Sequence, residues 1–295
     1  MQDKDSHGSI ARMKPHIVAI VGPTASGKTA RAIALAKERD GEVISVDSRQ
    51  VYRTLDIGTE KITAEEMDGV PHHLIDIRDP KDSYSAGDFA KDAAMLIDDI
   101  IARGKLPILA GGTHFYFESL LYGLPEAATN PELRSELEKL PAEELYARLK
   151  AADPRRAERI DPLNPRRLVR ALEIVAERGS VPELGEREAL YDIEWHVIDL
   201  PKDELRARID ARLEAALARG LIEEVRRTRD RVGDERLTEL GLEYRIVGEY
   251  LRGERSEASL LPSLSTKLWH YARHQKAWLR KLAPNEDTTR DTISA

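Results

Sequence analysis

Short apolar runs alternate with amphipathic helical patterns along the chain from about residue 14 to residue 126. In the intervening segments, apolar residues recur at the spacing of a helix that buries one face. This alternation is typical of βαβ units, in which helices cover a sheet of parallel strands. The pattern therefore predicts an α/β fold. The strand-like runs are HIVAIVG, EVISVD, HHLIDI and LPILAGG, and the helical segments between them are KTARAIALAKER and SAGDFAKDAAMLIDDIIARG.

A different pattern interrupts this alternation. From about Ala127 the strand signals stop, and they resume at Trp195 in the run WHVIDL. The interval has helical spacing, is rich in arginine and is punctuated by prolines. We predict a helical insertion domain at 127–194 within an α/β core formed by 14–126 and 195–284. Two long helical patterns follow in the core, DELRARIDARLEAALARGLIEEVRR and SLSTKLWHYARHQKAWLRKL.

Composition narrows the class of protein. A chain of 295 residues with 41% hydrophobic content can bury a large core, and the absence of cysteine excludes disulfides and thiolate metal sites. The N-terminal segment is polar, and no run approaches the roughly 20 apolar residues of a membrane helix. We expect a cytoplasmic monomer with no membrane partner. The net charge of −7 argues only weakly against an RNA partner, because binding depends on local fields.

A phosphate-binding loop follows the first strand-like run. GPTASGKT fits the G-x-x-x-x-G-K-[ST] motif, with a strand pattern before it and a helical pattern after it. Its backbone N–H groups and Lys28 can hold phosphate, and the hydroxyl of Thr29 can hold Mg²⁺, which we expect as the cofactor. The predicted phosphate-binding residues are Gly22, Pro23, Thr24, Ala25, Ser26, Gly27, Lys28 and Thr29.

The loop alone leaves the reaction open. Nucleotide hydrolases usually carry an acidic residue at the end of an apolar strand, where it holds Mg²⁺ or positions water. The run LPILAGGT instead ends in Gly111, Gly112 and Thr113. Asp76 and Asp199 also follow strand-like runs and could substitute, although an aspartate there is as often a turn or cap residue. The hydrolase interpretation is weakened but stays open.

Asp47 directly follows the second strand-like run. In an open α/β sheet the carboxyl ends of the strands face the ligand, so we expect Asp47 on the same edge as the phosphate loop. A carboxylate there can accept a proton from an attacking group, whereas the alternative is a turn or helix cap shared with Ser48. The polar run Asp47, Ser48, Arg49 and Gln50 also offers donors and acceptors for the edge of a base.

Two segments are locally basic. Between Asp153 and Arg178 there are seven arginines against five acidic residues, and TKLWHYARHQKAWLRKL contains no acid and interleaves Arg273 and Lys276 with aromatic residues. Such segments suit phosphate contacts and base stacking. The alternatives are a solvated helix face, with Glu173 and Glu177 as partners of the arginines, and a packing face. That packing face would consist of Leu268, Tyr271, Ala272, Gln275 and Leu279.

The ordered set of motifs resembles the bacterial tRNA dimethylallyltransferases along nearly the whole chain, from Ile17 to Leu282. The resemblance implies a P-loop nucleotide-kinase-like parallel sheet core with a tRNA-contacting helical insertion. It also implies transfer of a dimethylallyl group from dimethylallyl diphosphate to N6 of the adenosine immediately 3′ of the anticodon, with release of diphosphate. The motifs are GPTASGKT, ISVDSRQVYRTLDIGTEK, GVPHHLIDI, YSAGDF, PILAGGT and NPRRLVRALEI.

The resemblance also implies residue roles. Lys28 and the loop would neutralise the departing diphosphate, together with Arg208 or Arg212, and Asp47 would be the general base. Thr113 would lie near diphosphate and the target nucleotide, and its hydroxyl could at the same time cap the following helix. The implied tRNA contacts are Asp47, Ser48, Arg49, Gln50, Thr113, Arg166, Arg167, Leu168, Val169, Arg170, Tyr244, Arg245, Arg273 and Lys276.

Two residues depart from the family pattern. Glu243 stands where the bacterial enzymes more often have glycine, which puts the contacts of Tyr244 and Arg245 in doubt, and His114 stands where a small residue is usual and would narrow the approach to the site. Three other functions stay open: prenylation of free adenine nucleotides, as in cytokinin synthases, a small-molecule kinase that consumes ATP, and a noncatalytic RNA-binding module. The basic segments favour tRNA over a free nucleotide.

Overall fold

A computed structural model describes residues 13–123, 130–182, 188–282 and 289–291 of the chain. The chain divides into two compact units, one formed by residues 1–123 with 189–295 and the other by residues 124–188. The strand that the sequence pattern placed at Trp195 begins at Asp192, after the end of the second unit.

The first unit contains a parallel sheet formed by β1 His16–Val21, β2 Gly41–Val46, β3 His72–His73, β4 Leu106–Gly111, β5 Asp192–Ile198 and β6 Thr289–Asp291. The strand order is β3-β2-β4-β1-β5-β6. At one edge the strand ends are level, since Val21 of β1 and Val46 of β2 both lie opposite Gly111 of β4. The carboxyl ends of the three strands therefore meet at one place.

The central strands are apolar because helices cover both faces of a parallel sheet. Residues 17–21 of β1 are completely buried, and no residue of β2 is more than slightly exposed. The third predicted strand is shorter than its apolar run suggests. Leu74 and Asp76 have φ angles of 61° and 56°, a left-handed conformation that a strand does not adopt, so β3 ends at His73.

Helices connect and cover the strands. The pattern 203–227 predicts a continuous helix, but the structure has two, α8 Lys202–Ala218 and α9 Leu221–Glu239, because Gly220 between them adopts a left-handed conformation with φ 97°. The helices are α1 Lys28–Glu38, α2 Ala86–Ala102, α3 His114–Tyr122, α4 Pro131–Leu137, α5 Ala142–Ala152, α6 Pro154–Ala157, α7 Pro165–Arg178, α8 Lys202–Ala218, α9 Leu221–Glu239, α10 Leu242–Leu251 and α11 Leu260–Leu282. Among these helices, none combines the length and apolar character of a membrane span.

The second unit contains α4 to α7 and has its own apolar core. Asn130 and Asn164 cap α4 and α7, and a proline follows each of them at the first helical position. Glu173 of α7 is buried and receives two hydrogen bonds from Arg134, at 3.0 and 2.8 Å. The core residues include Leu137, Leu145, Leu149, Ile160, Leu168 and Leu172.

Candidate functional site

The carboxyl ends of β1, β2 and β4 open into a cavity of about 480 Å³. This is the edge at which ligands bind in open α/β sheets. The cavity brings the predicted loop together with residues from α8 and α11, which follow much later in the chain. Its lining includes residues 24–30 together with Ile33, Ser45, Asp47, Gln50, Thr59, Glu60, Lys61, Ile62, Glu66, Ala110, Gly111, Gly112, Arg212, Arg219, Tyr271 and Gln275.

The phosphate loop has the strained, compact backbone that its sequence predicts. Ala25 and Gly27 have φ angles of 61° and 90°, and a Cβ atom on Gly22 would lie 2.9 Å from the carbonyl oxygen of Ile198. The hydroxyl of Ser26 is buried and has no hydrogen-bond partner among the residues that the structure describes. A buried polar group usually has a partner, so this hydroxyl is available to a ligand held in the loop.

Lys28 carries the charge of the loop. Its Nζ atom donates to the carbonyl oxygen of Pro23 at 2.6 Å, which folds the side chain across the loop. Burial lowers the pKa of Lys28 to about 8; the nearby Asp47 carboxylate opposes this shift and Arg212 adds to it. The ammonium group therefore remains charged at neutral pH but loses its proton far more readily than an exposed lysine.

The two candidate arginines of α8 occupy different environments. Arg212 lines the cavity and donates a hydrogen bond to the hydroxyl of Thr24 in the loop. Arg208 is absent from the cavity lining and pairs with Glu204 at 2.7 Å on its own helix. Arg219, which the sequence analysis did not predict, also lines the cavity and pairs with Glu60 at 2.6 Å. Arg212 is therefore the stronger candidate for a phosphate contact.

The carboxylate of Asp47 fits both interpretations of the sequence. Its Oδ1 atom accepts hydrogen bonds from the backbone N–H groups of Arg49 at 2.8 Å and Gln50 at 3.3 Å, as in a turn cap. Its Oδ2 atom accepts none from the described part of the chain, and Asp47 lines the cavity. One oxygen thus fixes the carboxylate while the other remains available to a ligand.

Thr113 supports this carboxylate from the neighbouring strand. Its Oγ1 atom accepts a hydrogen bond from the backbone N–H of Ser48 at 3.1 Å, and its own N–H donates to the carbonyl of Val46 at 3.2 Å. The alternative prediction that the hydroxyl caps α3 is wrong, because the side chain makes no cap hydrogen bond. Thr113 instead ties the end of β4 to the segment that carries Asp47.

Gln50 is engaged within the protein. Its Oε1 atom accepts from the hydroxyl of Ser45 at 3.0 Å, and its Nε2 atom donates to the carbonyls of Thr59 and Glu60, both at 3.2 Å. An amide oxygen can accept a second hydrogen bond, so Oε1 remains available to a ligand in the cavity. Gln50 supports the wall of the cavity and is itself a lining residue, so its contact with a base edge stays a prediction. Arg49 packs beside Gly241, where a Cβ atom would lie 3.8 Å from its Nε atom.

The two aspartates considered as hydrolase residues are paired elsewhere. Asp76 pairs with Lys61 at 2.6 Å, and Asp199 pairs with Lys276 at 2.5 Å. Neither lines the cavity. Lys276 also donates to the carbonyl of Leu200 at 3.1 Å, so it anchors α11 to the segment after β5.

Three predicted tRNA contacts are buried. Leu168 and Val169 are 0% and 4% exposed in the core of the second unit, and Tyr244 is 1% exposed in the first. The hydroxyl of Tyr244 donates to Glu224 at 2.6 Å, and Glu224 also accepts from the backbone N–H groups of residues 56–58. The structure corrects these three assignments, because a side chain inside the core cannot contact RNA.

The remaining cations differ in exposure. Arg166 and Arg167 are exposed on the second unit, and Arg245 and Arg273 are exposed on the first. Arg170 is half-buried and donates to Glu173 at 3.3 Å, so part of its function is structural.

Glu243 and His114, which depart from the family pattern, have distinct surroundings. Burial raises the pKa of Glu243, an effect that Arg212 opposes and Asp47 reinforces, and Glu243 does not line the cavity. The ring of His114 stacks on Trp278 with centroids 4.7 Å apart and is absent from the cavity lining. His114 is therefore not part of the cavity wall, and its narrowing of the approach to the site stays a prediction.

Tyr271 and Gln275 are site residues that the helical spacing assigned only to a packing face. Gln275 is 3% exposed, as that assignment predicts, but its amide contacts the phosphate loop. Tyr271 is 41% exposed and lines the cavity one helical turn earlier. The only sequence signal for these two residues was their spacing of four on a basic helix. That spacing predicts that they lie on the same face of the helix, but it does not indicate what the face contacts.

Comparison with known proteins gives consistent matches. The model of the IPP transferase family matches residues 50–282. The chain is 46% identical over 280 residues to the tRNA dimethylallyltransferase of Thermomicrobium roseum, an alignment that covers 92% of this chain and 85% of the relative. The full-length tRNA isopentenylpyrophosphate transferase from Bacillus halodurans is 39% identical with a TM-score of 0.71, over 94% of this chain and 90% of that one. A eukaryotic dimethylallyltransferase acting on tRNA is 28% identical with a TM-score of 0.77, over 90% of this chain and 69% of that one.

Proposed function

The chain belongs to the IPP transferase family, and from this membership we propose that it transfers a dimethylallyl group from dimethylallyl diphosphate to tRNA. The acceptor atom is N6 of the adenosine immediately 3′ of the anticodon, and diphosphate is released. One observation carries the proposal: the phosphate loop and the carboxylate of Asp47 line the same cavity. A leaving diphosphate and an attacking amine can therefore be held together.

The donor side of the cavity suits an allylic diphosphate. Lys28, Arg212 and the loop N–H groups supply positive charge where negative charge develops on the departing oxygen. Apolar surface from Ile33, Ile62 and the ring of Tyr271 lines the same cavity and suits the dimethylallyl chain. The donor is thus bound at both ends, and its carbon–oxygen bond breaks as charge passes to the diphosphate.

The acceptor side depends on Asp47. The lone pair of an exocyclic amine is delocalised into the base, so the amine attacks better when its proton is removed. As the bond between N6 and the first prenyl carbon forms, the N6 proton passes to Oδ2 of Asp47. The backbone hydrogen bonds to Oδ1 hold the carboxylate in place during this transfer.

Mg²⁺ fits the oxygen donors of this site when it is held jointly with the substrate. Among the described residues, no cluster of three or more His, Cys, Asp or Glu side chains could hold a metal by itself. Mg²⁺ commonly takes one or two protein oxygens and completes its shell with phosphate and water. The exposed hydroxyl of Thr29 in the cavity lining is such an oxygen. Bound there, the ion would neutralise charge on the diphosphate.

An anticodon-loop adenosine must leave the base stack before its amine can reach Asp47. The protein therefore needs cations that hold the RNA backbone. Arg166 and Arg167 of the second unit, and Arg245 and Arg273 of the first, are exposed and suited to phosphate contacts. These four arginines are the proposed tRNA-binding side chains.

Labelled dimethylallyl diphosphate tests the proposal directly. The protein is incubated with the labelled donor and Mg²⁺, and it is offered tRNA, AMP or no acceptor, with Lys28→Met as the matched inactive control. We expect label in tRNA, recovered after nuclease digestion as N6-dimethylallyladenosine, and none with the control. Label in AMP alone would assign the protein to free-nucleotide prenylation. Consumption of ATP with no label transfer would overturn the proposal in favour of a kinase.

A further inference from the structure

Gln275 of α11 connects two parts of the site through a single buried amide. Its Oε1 atom accepts a hydrogen bond from the backbone N–H of Thr24 at 2.9 Å, and its Nε2 atom donates to the carbonyl of Gly112 at 3.0 Å. The side chain is 3% exposed. Because an amide has one oxygen acceptor and one nitrogen donor, both ends of this group are used and its orientation is determined.

The oxygen of the Gln275 amide contacts the side of the cavity that is proposed to bind the prenyl donor. Thr24 is a cavity-lining residue of the phosphate loop, and its hydroxyl also accepts a hydrogen bond from Arg212. The N–H of Thr24 points to Gln275, so this group anchors the loop to α11. Gln275 thereby positions the backbone that carries Lys28.

The nitrogen of the Gln275 amide contacts the side of the cavity that is proposed to bind the acceptor nucleotide. Gly112 directly precedes Thr113, whose hydroxyl accepts from the backbone N–H of Ser48, the residue after Asp47. A Cβ atom at Gly112 would overlap the Nε2 atom of Gln275, so the absence of a side chain is what admits the amide. A continuous series of hydrogen bonds and short backbone segments therefore runs from the phosphate loop through Gln275 to Asp47.

The helix that carries Gln275 is anchored independently of this bridge. Lys276 binds Asp199, and the buried hydroxyl of Ser265 donates to Asp210 of α8 and accepts from Arg206 at 2.5 Å. The loss of the amide would leave α11 attached at these points. A change at Gln275 should therefore act on the site more than on the fold.

The geometry points to Gln275 as a positioning residue. It sets the distance between the phosphate loop and the segments that carry Gly112 and Asp47. This inference rests on the proposed function, in which the prenyl carbon on one side must meet the amine on the other. Near-attack geometry is demanding, and a misplacement of about 1 Å costs about 100-fold in rate. The bridge should therefore affect the chemical step more strongly than the binding of either substrate.

Two substitutions at position 275 separate the two ends of the bridge. Gln275→Glu keeps the length and the acceptor for Thr24 but places a carboxylate oxygen against the carbonyl of Gly112. Gln275→Leu removes both bonds. Gly112→Ala displaces the amide from the opposite side. Ser265→Ala is the matched control, because it removes a buried side-chain hydrogen bond of α11 that lies apart from the cavity.

The readouts are the single-turnover rate at saturating tRNA and donor, the affinity for inorganic pyrophosphate followed by tryptophan fluorescence, and the melting temperature. We expect Gln275→Glu to slow single turnover by about 10- to 100-fold, and we expect Gly112→Ala, which adds no charge to the cavity, to change pyrophosphate affinity by less than about threefold. Gln275→Leu should in addition weaken pyrophosphate binding about tenfold. Gly112→Ala should reproduce the rate loss of Gln275→Glu, and the double variant should be little slower than either, because both changes break the same hydrogen bond.

Ser265→Ala should lower the melting temperature as much as Gln275→Glu does and leave the rate within about threefold of the parent. Equal rate losses in these two variants, or a parent-like rate for Gln275→Glu, would overturn the positioning role. If the parent protein transfers no dimethylallyl group to tRNA, the proposed function fails. The pyrophosphate affinities still test the bridge in that case, because a parent-like affinity for Gln275→Leu would contradict it.

Discussion

Replacing Asp47 with asparagine separates its basic function from its structural one. Both backbone hydrogen bonds of the carboxylate end on Oδ1, at 2.8 and 3.3 Å, and an asparagine can present its amide oxygen at the same position. Asparagine is also as good a turn and cap residue as aspartate. We therefore expect Asp47→Asn to change the free energy of unfolding by less than about 1 kcal/mol.

The rate should respond very differently. Asparagine carries an NH₂ group in place of Oδ2, so it cannot accept the N6 proton. A general base contributes about 10²- to 10⁴-fold, which corresponds to a barrier increase of about 2.7 to 5.5 kcal/mol. Single-turnover prenylation at saturating tRNA and donor should fall by that factor. The dissociation constants for tRNA and pyrophosphate should stay close to those of the parent protein.

Asp199→Asn is the matched control for this experiment. It removes the same charge at the end of another strand of the same sheet, but Asp199 is absent from the cavity lining and pairs with Lys276. The control should retain the parent rate. A rate for Asp47→Asn within about threefold of the parent would remove Asp47 from the base role, since that is below the general-base range.

Three further predictions concern charge. The affinity for pyrophosphate should be highest where Lys28 is protonated and should decline as the pH rises above about 8. The variant Lys28→Met should bind pyrophosphate weakly and retain its affinity for tRNA. The pH dependence of its pyrophosphate binding should show only the titration of pyrophosphate itself. In the double variant Arg166→Gln and Arg167→Gln, the log–log salt slope of tRNA binding should fall by about one for each phosphate that the protein no longer neutralises, and an unchanged slope would show that these arginines are merely solvated. The Arg103 hydrogen bond holds the pKa of Glu42 in the folded protein at about 2. The ionised Glu42 therefore stabilises the fold by on the order of 3 kcal/mol above its ordinary pKa of 4.5, and this stabilisation is lost as the pH falls toward 2. Over that pH range, the stability of Glu42→Gln, followed by thermal melts, should change less than that of the parent protein.

Local features of the fold were predictable from the sequence. The phosphate loop is one contiguous motif, and the central strands are apolar runs because both faces of the sheet are covered. The prediction was wrong at β3, where the apolar run continues past His73 but the backbone at Leu74 becomes left-handed. Hydrophobic spacing reports which residues are buried, and it carries little information about the conformation at a single position.

Site residues were harder to predict where tertiary contacts decide their function. Gln275 and Gly112 lie 163 residues apart, and Arg212 and Thr24 lie 188 apart, so neither pair is visible in local patterns. Tyr244 lies beside the exposed Arg245 in the sequence, yet it faces the core. On a helix, adjacent residues point in different directions, so a motif carried over as a block mixes core and surface positions.

The two glycines at the end of β4 explain how this phosphate loop can serve a reaction other than nucleotide hydrolysis. A Cβ atom at Gly111 would overlap the carbonyl oxygen of Val46, because β2 and β4 are paired at that level. A Cβ atom at Gly112 would overlap the amide of Gln275. On this backbone, neither position admits the acidic side chain that hydrolases place at the end of such a strand. The amide of Gln275 occupies the space beside the loop instead, and it links the loop to the segment that carries Asp47. The arrangement that excludes the hydrolase carboxylate therefore also aligns the two substrates.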